Sequence, residues 1–460
     1  MDAREFCESL GLAADQWSVA AADRDLRATD WGTDDDGASP PGAVVWPEST
    51  ADVAAVLDRA NETGVPVTPY GAGTGIAGNA VPVEGGVSLD LTRMDAVLDV
   101  RPGDFQVDVQ PGVVGTDVDE ALESHGQFFP PLPTSGAMAT VGGMVSTDAS
   151  GRRTVKYGTV GDWVRELEAV AADGTVFTAG TRAVKSSSGY DLRDLVVGSE
   201  GTLAVVTRVT LETAGIPREI RGGRAVFETV DDAAAAVADA RRSGVDAASL
   251  ELVDAECARI ANDFLETDLP DRPMVFVEFH RNHGVDAEIE FCEAVFADHD
   301  PLAFDVVDRA AMADLWAVRE ELAEAIVQHD PDLVSVHSGD VAVPPSDFPA
   351  MVSYIHERAA EAGVTVPTFG HAGDGNVHFD VLVDPDDPGM VDLGDAVTHD
   401  VVERAIDLGG TCTAEHGVGN TKRGFQRSEH GDGAVDLMAR VKGAFDPNGV
   451  LNPEKVLPED

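Results

Sequence analysis

Two long uncharged segments, both rich in glycine and proline, constrain this 460-residue chain more than any other feature. Residues 63–83 contain five Gly and three Pro, and residues 124–147 contain four Gly and three Pro. Each segment is long enough to cross a bilayer, but a membrane helix does not form at that density of helix-breaking residues. The segments therefore predict irregular loops, and their purpose needs another explanation.

The first segment contains a short predicted strand, residues 65–70, that runs directly into a glycine-rich loop. In this loop Gly71, Gly73, Gly75 and Gly78 are separated by other small or uncharged residues. Glycine lets the backbone approach a ligand closely, so consecutive N–H groups can bind phosphate oxygens without a cationic side chain. No helical pattern follows the loop, which argues against a dinucleotide-binding βαβ motif. Taken alone, the loop fits a phosphate site and a tight hairpin turn equally well.

Two further uncharged elements favour the phosphate interpretation. Residues 130–147 combine three prolines, small residues and hydroxyl side chains, and residues 197–203 form a glycine-containing turn before a strand. Three such elements in one domain predict a single long cofactor that lies between them.

The order of these elements resembles the FAD domain of the vanillyl-alcohol-oxidase-type (PCMH-type) flavoproteins over residues 40–212. The matching motifs are PYGAGTGIAGN, FPPLPTSGAMATVGGMVSTDASG, KYG, KSSSGYDL and VGSEGTL. The resemblance implies non-covalent FAD, because Thr74 stands where some members attach the flavin through a histidine. Leu132 and Asp148 depart from the residues common in that family. The implied cofactor-binding residues are Tyr70, Gly71, Ala72, Gly73, Thr74, Gly75, Gly78, Asn79, Pro133, Thr134, Gly142, Gly143, Ser146, Thr147, Gly151, Gly158, Glu200, Gly201, Val206 and Asn452.

A second group of chemically reactive residues lies in the C-terminal half. Residues 364–383 read as strand, glycine turn and strand, which places His371 and His378 close together in a hairpin. The alternation along the second strand predicts that His378 lies on a face turned toward polar groups. Further along, Glu415 and His416 stand on a glycine-flanked loop. Two imidazoles and a carboxylate are a common ligand set for a catalytic divalent metal. The alternative interpretation is that these histidines only form hydrogen bonds that shape the loops.

The sequences FGHAGDGNVHFDVLVDP, GGTCTAEHGVGNTKRGF and KGAFDPNGVLNPEKVL resemble the C-terminal domain of the FAD-linked D-2-hydroxy-acid dehydrogenases. That family includes cytochrome-type D-lactate dehydrogenases, D-2-hydroxyglutarate dehydrogenase and the flavin subunit of glycolate oxidase. The resemblance implies a divalent metal, Zn or Mn. The implied site residues are His371, His378 and Glu415 as metal ligands, and His416, Arg319 and Asn376 as catalytic groups.

The implied reaction is the oxidation of a short D-2-hydroxy acid to a 2-oxo acid. The metal would bind the substrate and lower the pKa of its hydroxyl group. His416 would accept the hydroxyl proton, Arg319 would orient the carboxylate, and the Cα hydride would pass to flavin N5.

D-Lactate is the preferred substrate, because Ser338 and Gly339 stand where the hydroxyglutarate enzymes have a lysine for a second carboxylate. Three alternatives stay open. The chain could be the flavin subunit of a glycolate oxidase, a D-2-hydroxyglutarate dehydrogenase, or a flavin oxidase that releases hydrogen peroxide.

Composition limits the partners of this chain. It has 83 Asp+Glu and 32 Lys+Arg, a formal net charge of −51, which disfavours nucleic acids and anionic surfaces as partners. Dispersed acid with few lysines is typical of a halophilic surface, because concentrated salt reduces the Debye length to about 3 Å. The four cysteines form no CxxC pair, which excludes a disulfide framework and an iron–sulfur site on this chain. We therefore expect electrons to leave to a quinone, a cytochrome or an electron-transfer protein.

The sequence elements predict an α+β protein with two domains. A FAD-binding domain is expected at residues 1–215 and a substrate and metal domain, built on an antiparallel sheet, at residues 216–460. The N-terminus shows no signal-peptide pattern. We expect a cytoplasmic protein without a transmembrane segment, either free or peripheral to the inner face of the membrane, and compatible with a homodimer.

Overall fold

The computed structural model describes residues 1–33, 37–307 and 309–459. Its helices, numbered along the chain, are α1 (Ala3–Ser9), α2 (Ala21–Asp25), α3 (Thr50–Thr63), α4 (Gly115–Glu123), α5 (Val141–Ser146), α6 (Thr154–Tyr157), α7 (Arg193–Val196), α8 (Val230–Ser243), α9 (Ala255–Phe264), α10 (Val285–Phe296), α11 (Arg309–Gln328), α12 (Phe348–Ala362), α13 (Pro388–Asp407) and α14 (Gln426–Phe445). Its strands are β1 (Trp17–Ser18), β2 (Ala43–Val45), β3 (Val67–Tyr70), β4 (Val87–Asp90), β5 (Val97–Arg101), β6 (Gln106–Val109), β7 (Gln127–Phe128), β8 (Val164–Ala171), β9 (Val176–Gly180), β10 (Ala204–Glu212), β11 (Ala214–Gly215), β12 (Glu219–Val226), β13 (Ser249–Val253), β14 (Met274–Arg281), β15 (Ala303–Val307), β16 (Val334–Ala342), β17 (Thr368–Gly370) and β18 (Asn376–Val383).

The chain forms two compact units. The first contains residues 1–150, 159–216 and the chain from Glu415 onward, and the second contains residues 151–158 and 217–414. One continuous segment of the first unit ends at residue 216, and the long segment of the second unit begins at residue 217. The chain from Glu415 onward folds with the N-terminal unit, however, and a short segment before residue 159 folds with the second one.

The first unit is built on two main sheets. A four-stranded sheet has the order β1-β2-β4-β3, with β2 and β3 parallel to β4, and an antiparallel five-stranded sheet has the order β5-β6-β10-β8-β9. The apolar face of helix α3 packs into a core shared by both sheets, with contacts to β8 and β10 of the second sheet. The ends of α3 follow from the sequence. Ser49 accepts a hydrogen bond from the Asp52 N–H, and Gly64 ends the helix with φ +69°.

The second unit is built on one antiparallel seven-stranded sheet with the order β15-β12-β14-β13-β17-β18-β16. All eight residues of β18 are buried. The alternation of that strand predicts that His378 faces polar groups, and the Asp340 carboxylate lies 3.7 Å from its Nδ1. Helix α13 packs on this interior strand. His378 is therefore buried among protein groups.

Two predicted elements differ from the observed ones in this unit. The strand expected at residues 364–369 is limited to β17, because Pro367 has no N–H to donate to a sheet ladder. The pattern of residues 301–330 predicts mostly helix, but this region begins with the edge strand β15, and α11 follows it. The mixed helix and sheet class is as predicted. None of the helices that the structure describes is both long and apolar enough to cross a membrane.

The C-terminal segment is fixed to the first unit by a buried ion pair. The Lys442 ammonium lies 2.5 Å from Asp446 Oδ2 and donates to the carbonyl oxygens of Thr202 and Leu451. The Asp446 carboxylate also accepts the N–H groups of Val450 and Leu451. The lysine thus satisfies a fully buried carboxylate and two buried carbonyl groups.

We expect Lys442→Met to lower the free energy of unfolding by about 3–5 kcal/mol, because it leaves the Asp446 charge buried without its cation. The measurement is denaturant unfolding followed by circular dichroism. Arg440→Met, on an exposed position of the same helix, is the control and should change stability by less than about 0.5 kcal/mol. Equal effects of the two substitutions would contradict the prediction.

Candidate functional site

The first predicted cofactor loop follows β3 in the first unit. Gly73 and Gly78 have φ values of +70° and +73°, which glycine adopts at little cost. Within the described residues, the N–H groups of residues 72–75 donate no hydrogen bond to a protein acceptor. Backbone N–H groups without a protein acceptor are available to phosphate oxygens. The loop therefore fits a diphosphate cofactor.

The second loop packs directly against the first one. A Cβ atom at Gly71 would lie 2.5 Å from Thr140 Oγ1, and one at Gly142 would lie 2.6 Å from Pro111 Cβ. Thr140 caps the short helix α5 by accepting the Gly143 N–H. Gly71 and Gly142 are therefore required by close packing as well as by the predicted cofactor contact.

The third element contributes a buried carboxylate, Glu200, with φ +53°. Its oxygens accept the Asn79 side-chain amide at 2.6 Å and the N–H groups of Val418 and Gly419 at 2.7 and 2.8 Å. Burial raises the pKa of Glu200, and these three donors oppose that shift. Asn79 also donates to the His416 carbonyl oxygen, so the loop that carries His416 is held on the glycine-rich loop of the same unit.

Asn452 completes this arrangement. Its side-chain amide donates to the carbonyl oxygens of Glu200 and Asn79 at 2.7 and 3.2 Å. Three predicted cofactor-binding residues, Asn79, Glu200 and Asn452, thus bind one another and position backbone. Their contacts with FAD stay predictions.

Most of the other predicted cofactor-binding residues belong to the first unit. Tyr70 ends β3 and has the Arg27 guanidinium 5.6 Å from its ring centre. Pro133 and Thr134 begin a short 3₁₀ turn, and Ser146 and Thr147 end α5. The remaining four are Gly201 beside Glu200, Val206 in the buried strand β10, and Gly151 and Gly158 at the ends of the short segment that folds with the second unit.

In the second unit, the hairpin of β17 and β18 brings His371 and His378 together. Their ring centres lie 5.2 Å apart with an edge-to-face angle of 89°, and both side chains are buried. Phe369, which pairs with His378 across the ladder, has its ring centre 5.1 Å from that imidazole. The sequence prediction that these two histidines converge is confirmed.

A carboxylate that the motifs did not reveal, Glu251 on β13, joins two predicted site residues. Its Oε1 lies 2.7 Å from His371 Nδ1, and its Oε2 lies 3.0 Å from Arg319 Nε and 2.9 Å from Nη2. Burial works against ionisation of Glu251, but the charges of His371 and Arg319 hold its pKa below the ordinary value. The only signal in the sequence was an acid within the otherwise uncharged strand SLELV.

A second buried acid, Asp340 on β16, stands near His378. Its Oδ1 lies 3.7 Å from His378 Nδ1 and accepts the Asn376 side-chain amide at 2.8 Å. Its Oδ2 accepts the Thr413 hydroxyl and the Ala414 N–H. Asn376, predicted as catalytic, thus contacts Asp340, and the chain that leads to Glu415 is tied to this acid.

Glu415 and His416 belong to the first unit. Ser150 Oγ donates to Glu415 Oε2 at 3.3 Å, and His416 Nε2 lies 3.8 Å from Glu415 Oε1. The predicted site residues are divided between the two units. His371, His378 and Arg319 are assembled in the second, and Glu415 and His416 are adjacent in the first.

The imidazole pair fits a divalent metal by the chemistry of its donors. Each ring has a buried carboxylate near Nδ1, at 2.7 Å for His371 and 3.7 Å for His378. Carboxylates in that position orient metal-binding imidazoles and make them more basic. Two imidazoles combined with a carboxylate ligand suit Zn²⁺ and related divalent ions.

Two family models together cover most of the chain. Residues 41–180 match a model described as FAD binding domain, and residues 216–456 match one described as FAD linked oxidases, C-terminal domain. These matches confirm the resemblance predicted for both halves and support FAD as the cofactor.

Curated relatives are similar over nearly the whole length. A probable mitochondrial D-lactate dehydrogenase of Danio rerio is 34% identical over 91% of this chain and 84% of that protein. The glycolate oxidase subunit GlcD of Bacillus subtilis is 33% identical over 92% of this chain and 90% of its own. A D-lactate dehydrogenase of Anaerostipes hadrus is 35% identical over 91% of this chain and 90% of its own.

Solved structures show the fold. p-Cresol methylhydroxylase has a TM-score of 0.77 at 16% identity and covers 100% of this chain and 97% of its own. The 4-ethylphenol oxidase of Gulosibacter chungangensis has a TM-score of 0.75 at 19% identity over the same shares. The fold is therefore of the vanillyl-alcohol-oxidase (PCMH) type, as predicted.

We expect Glu251→Gln to lower the free energy of unfolding by about 3–5 kcal/mol, since an amide leaves the Arg319 guanidinium buried without its counter-charge. Chemical denaturation measured by circular dichroism tests this. Glu256→Gln is the matched control, because Glu256 lies on α9 in a surface pair with Arg259, worth about 0–1 kcal/mol. Equal stability of the two variants would contradict the role assigned to Glu251.

Proposed function

The chain belongs to the FAD-linked oxidases of the D-lactate dehydrogenase and GlcD type, and on that premise we propose that it oxidises a short D-2-hydroxy acid to a 2-oxo acid. D-Lactate is the first candidate substrate, because two of the relatives described above carry that substrate in their names. The flavin subunit of a glycolate oxidase is the second candidate, favoured by the GlcD relative.

The observation that carries this proposal is the shared carboxylate Glu251. It holds the Arg319 guanidinium and the His371 imidazole on its two oxygens. A guanidinium is suited to bind a substrate carboxylate through paired hydrogen bonds. An imidazole is suited to bind a metal that contacts a neighbouring hydroxyl. A 2-hydroxy acid carries these two groups on adjacent carbons, so it matches the pair.

We assign the remaining residues as follows. His371, His378 and Glu415 would hold the metal, which when bound supplies a Lewis acid that makes the substrate hydroxyl more acidic. The His416 imidazole would accept the hydroxyl proton, since its ordinary pKa lies near working pH. FAD, when bound on the glycine-rich loops of the first unit, supplies the acceptor for the two electrons of the Cα–H bond. Electrons then leave to an acceptor that is a quinone, a cytochrome or an electron-transfer protein.

We expect His416→Ala to abolish flavin reduction by D-lactate, with a loss of at least about 10²-fold for a general base, while the protein stays yellow. Anaerobic stopped-flow spectroscopy at the flavin absorption band measures this. His125→Ala, at an exposed position after α4, should behave as the parent protein. Rapid flavin reduction in the His416 variant would remove this residue from the base role.

Removing the metal should have a separate signature. We expect dialysis against a chelator to abolish oxidation of D-2-hydroxy acids without releasing FAD, and Zn²⁺ or Mn²⁺ to restore it. Elemental analysis of the purified protein should find about one equivalent of metal, and less in a His378→Ala variant. Full activity of metal-free protein would exclude the metal assignment.

The two candidate functions differ in what a single chain can do. A D-lactate dehydrogenase reduces a dye with D-lactate as an isolated chain, whereas a glycolate oxidase subunit needs partner chains. A panel of both enantiomers of lactate, glycolate and longer 2-hydroxy acids, assayed with the purified single chain, distinguishes them.

A further inference from the structure

Glu278 on β14 repeats, on the neighbouring strand, the arrangement that Glu251 has on β13. Its Oε1 lies 2.8 Å from His280 Nε2, and its Oε2 accepts the Trp316 Nε1–H at 2.6 Å. Glu251 likewise has an imidazole of the proposed metal site at one oxygen and the Arg319 guanidinium at the other. Each acid therefore joins one imidazole to one donor on helix α11.

The two acids lie on the same face of the sheet. In the antiparallel pair of β13 and β14, Glu251 is opposite Phe276 and Ser249 is opposite Glu278. Opposite residues share a face, and so do alternate residues along one strand. The Trp316 and Phe276 rings meet edge to face with their centres 6.1 Å apart, so α11 packs on the face that carries both carboxylates.

The charges fix the direction of the hydrogen bonds around Glu278. Burial works against ionisation, but the hydrogen bond from His280 and the charges of Arg152 and Arg153 hold the pKa of Glu278 at about 2. Burial is the main factor that lowers the pKa of His280, so its ring is neutral at pH 7. An ionised carboxylate can only accept, so His280 carries its proton on Nε2. Its Nδ1, 2.9 Å from the Tyr157 oxygen, therefore accepts the Tyr157 hydroxyl.

Tyr157 supports this chain of hydrogen bonds from the short segment of residues 151–158, which folds with the second unit. Burial raises the pKa of Tyr157 to about 12, so the hydroxyl keeps the proton that it donates. The segment is also fixed by an ion pair between Lys156 and Asp246. Glu278 is therefore held by a preformed partner on one oxygen while the other oxygen accepts Trp316.

Helix α11 is thus hydrogen-bonded to the sheet through two carboxylates. Trp316 and Arg319 are three residues apart on α11, about 4.5 Å along its axis, and this spacing puts them on one face of the helix. The bond between Trp316 and Glu278 fixes the position of the helix without using the guanidinium. Any shift of α11 along the sheet would move Arg319 with it, because this buried side chain has little room to compensate.

We propose that Trp316 is a positioning residue for the substrate: its bond to Glu278 holds α11 so that the Arg319 guanidinium meets the substrate carboxylate in one fixed geometry. The inference rests on the proposed function, because Arg319 must bind that carboxylate. His280 and Tyr157 contribute by fixing Glu278. The consequence is confined to substrate binding, since none of these groups has a step in the proposed chemistry.

Stopped-flow reduction of the purified holoenzyme by D-lactate gives both the Kd of the substrate and the limiting rate of flavin reduction. Trp316→Phe keeps an aromatic ring and removes the N–H donor. We expect it to raise the Kd for D-lactate about 10-fold, because displacement of a binding group is costly, and to change the limiting rate by less than about threefold. Trp17→Phe, at a half-buried position in β1, is the matched control and should change neither quantity.

A double-mutant cycle tests whether Trp316 acts through Arg319. Arg319→Lys keeps a cation beside Glu251 but lacks the planar fork, so it should weaken the binding of D-lactate. In that background we expect Trp316→Phe to add less than about twofold, because no fork is left to position. An equal effect of Trp316→Phe in both backgrounds would show that the indole only stabilises the fold, and would overturn the inference.

Tyr157→Phe removes a single hydroxyl from the far end of the same chain of hydrogen bonds. We expect a smaller rise in the Kd for D-lactate, about two- to fivefold, because His280 still binds Glu278. Tyr190→Phe is the matched control, since Tyr190 is 96% exposed. If Trp316→Phe does not fold, this second pair of variants decides by the same criteria.

The outcomes separate the inference from the proposed function. If no 2-hydroxy acid reduces the flavin, or if Arg319→Lys binds D-lactate as tightly as the parent protein, the proposed role of Arg319 fails and the inference fails with it. If Arg319→Lys weakens binding but Trp316→Phe leaves the Kd unchanged, only the inference fails. A loss of limiting rate in Trp316→Phe as large as the rise in Kd would also overturn it, because the indole would then affect the chemical step.

Discussion

Carboxylates removed from water, each matched by several donors, hold the functional loops of both units. Glu200 accepts three N–H donors from the glycine-rich loop and from the loop that carries His416. Glu251 holds the His371 imidazole and the Arg319 guanidinium on its two oxygens. Asp340 accepts the Ala414 N–H in the chain before Glu415. A buried charge is tolerated only with such compensation, so displacement of any donor is strongly resisted. Loops made largely of glycine and small residues gain from these acids the rigidity that their own side chains cannot provide.

Burial also separates the two roles that acidic residues have in this protein. Most of its 83 acidic residues contribute to a field that favours solubility in salt and disfavours anionic partners. Glu200, Glu251 and Asp340 are chemically the same as the rest, yet burial makes each of them a fixed point of the structure.

Sequence reasoning located the site through contiguous motifs. The strand and loop ending at Gly78, and the hairpin with His371 and His378, were found because their residues lie close together in the chain. Glu251 was missed because it lies 120 residues before His371, and a single acid in an apolar strand carries no motif. The predicted strand before Gly370 was too long because Pro367 limits the ladder, an effect that hydrophobic alternation does not register.

The sequence by itself determined the family, the glycine-rich backbone of the cofactor loops and the types of side chain available for chemistry, because backbone freedom and donor chemistry are properties of individual residues in order. Only the tertiary structure decided which of the many acids are buried and which imidazole faces which carboxylate. Such pairings join residues tens to hundreds of positions apart. Their energies depend on desolvation and distance, which exist only after the chain has folded.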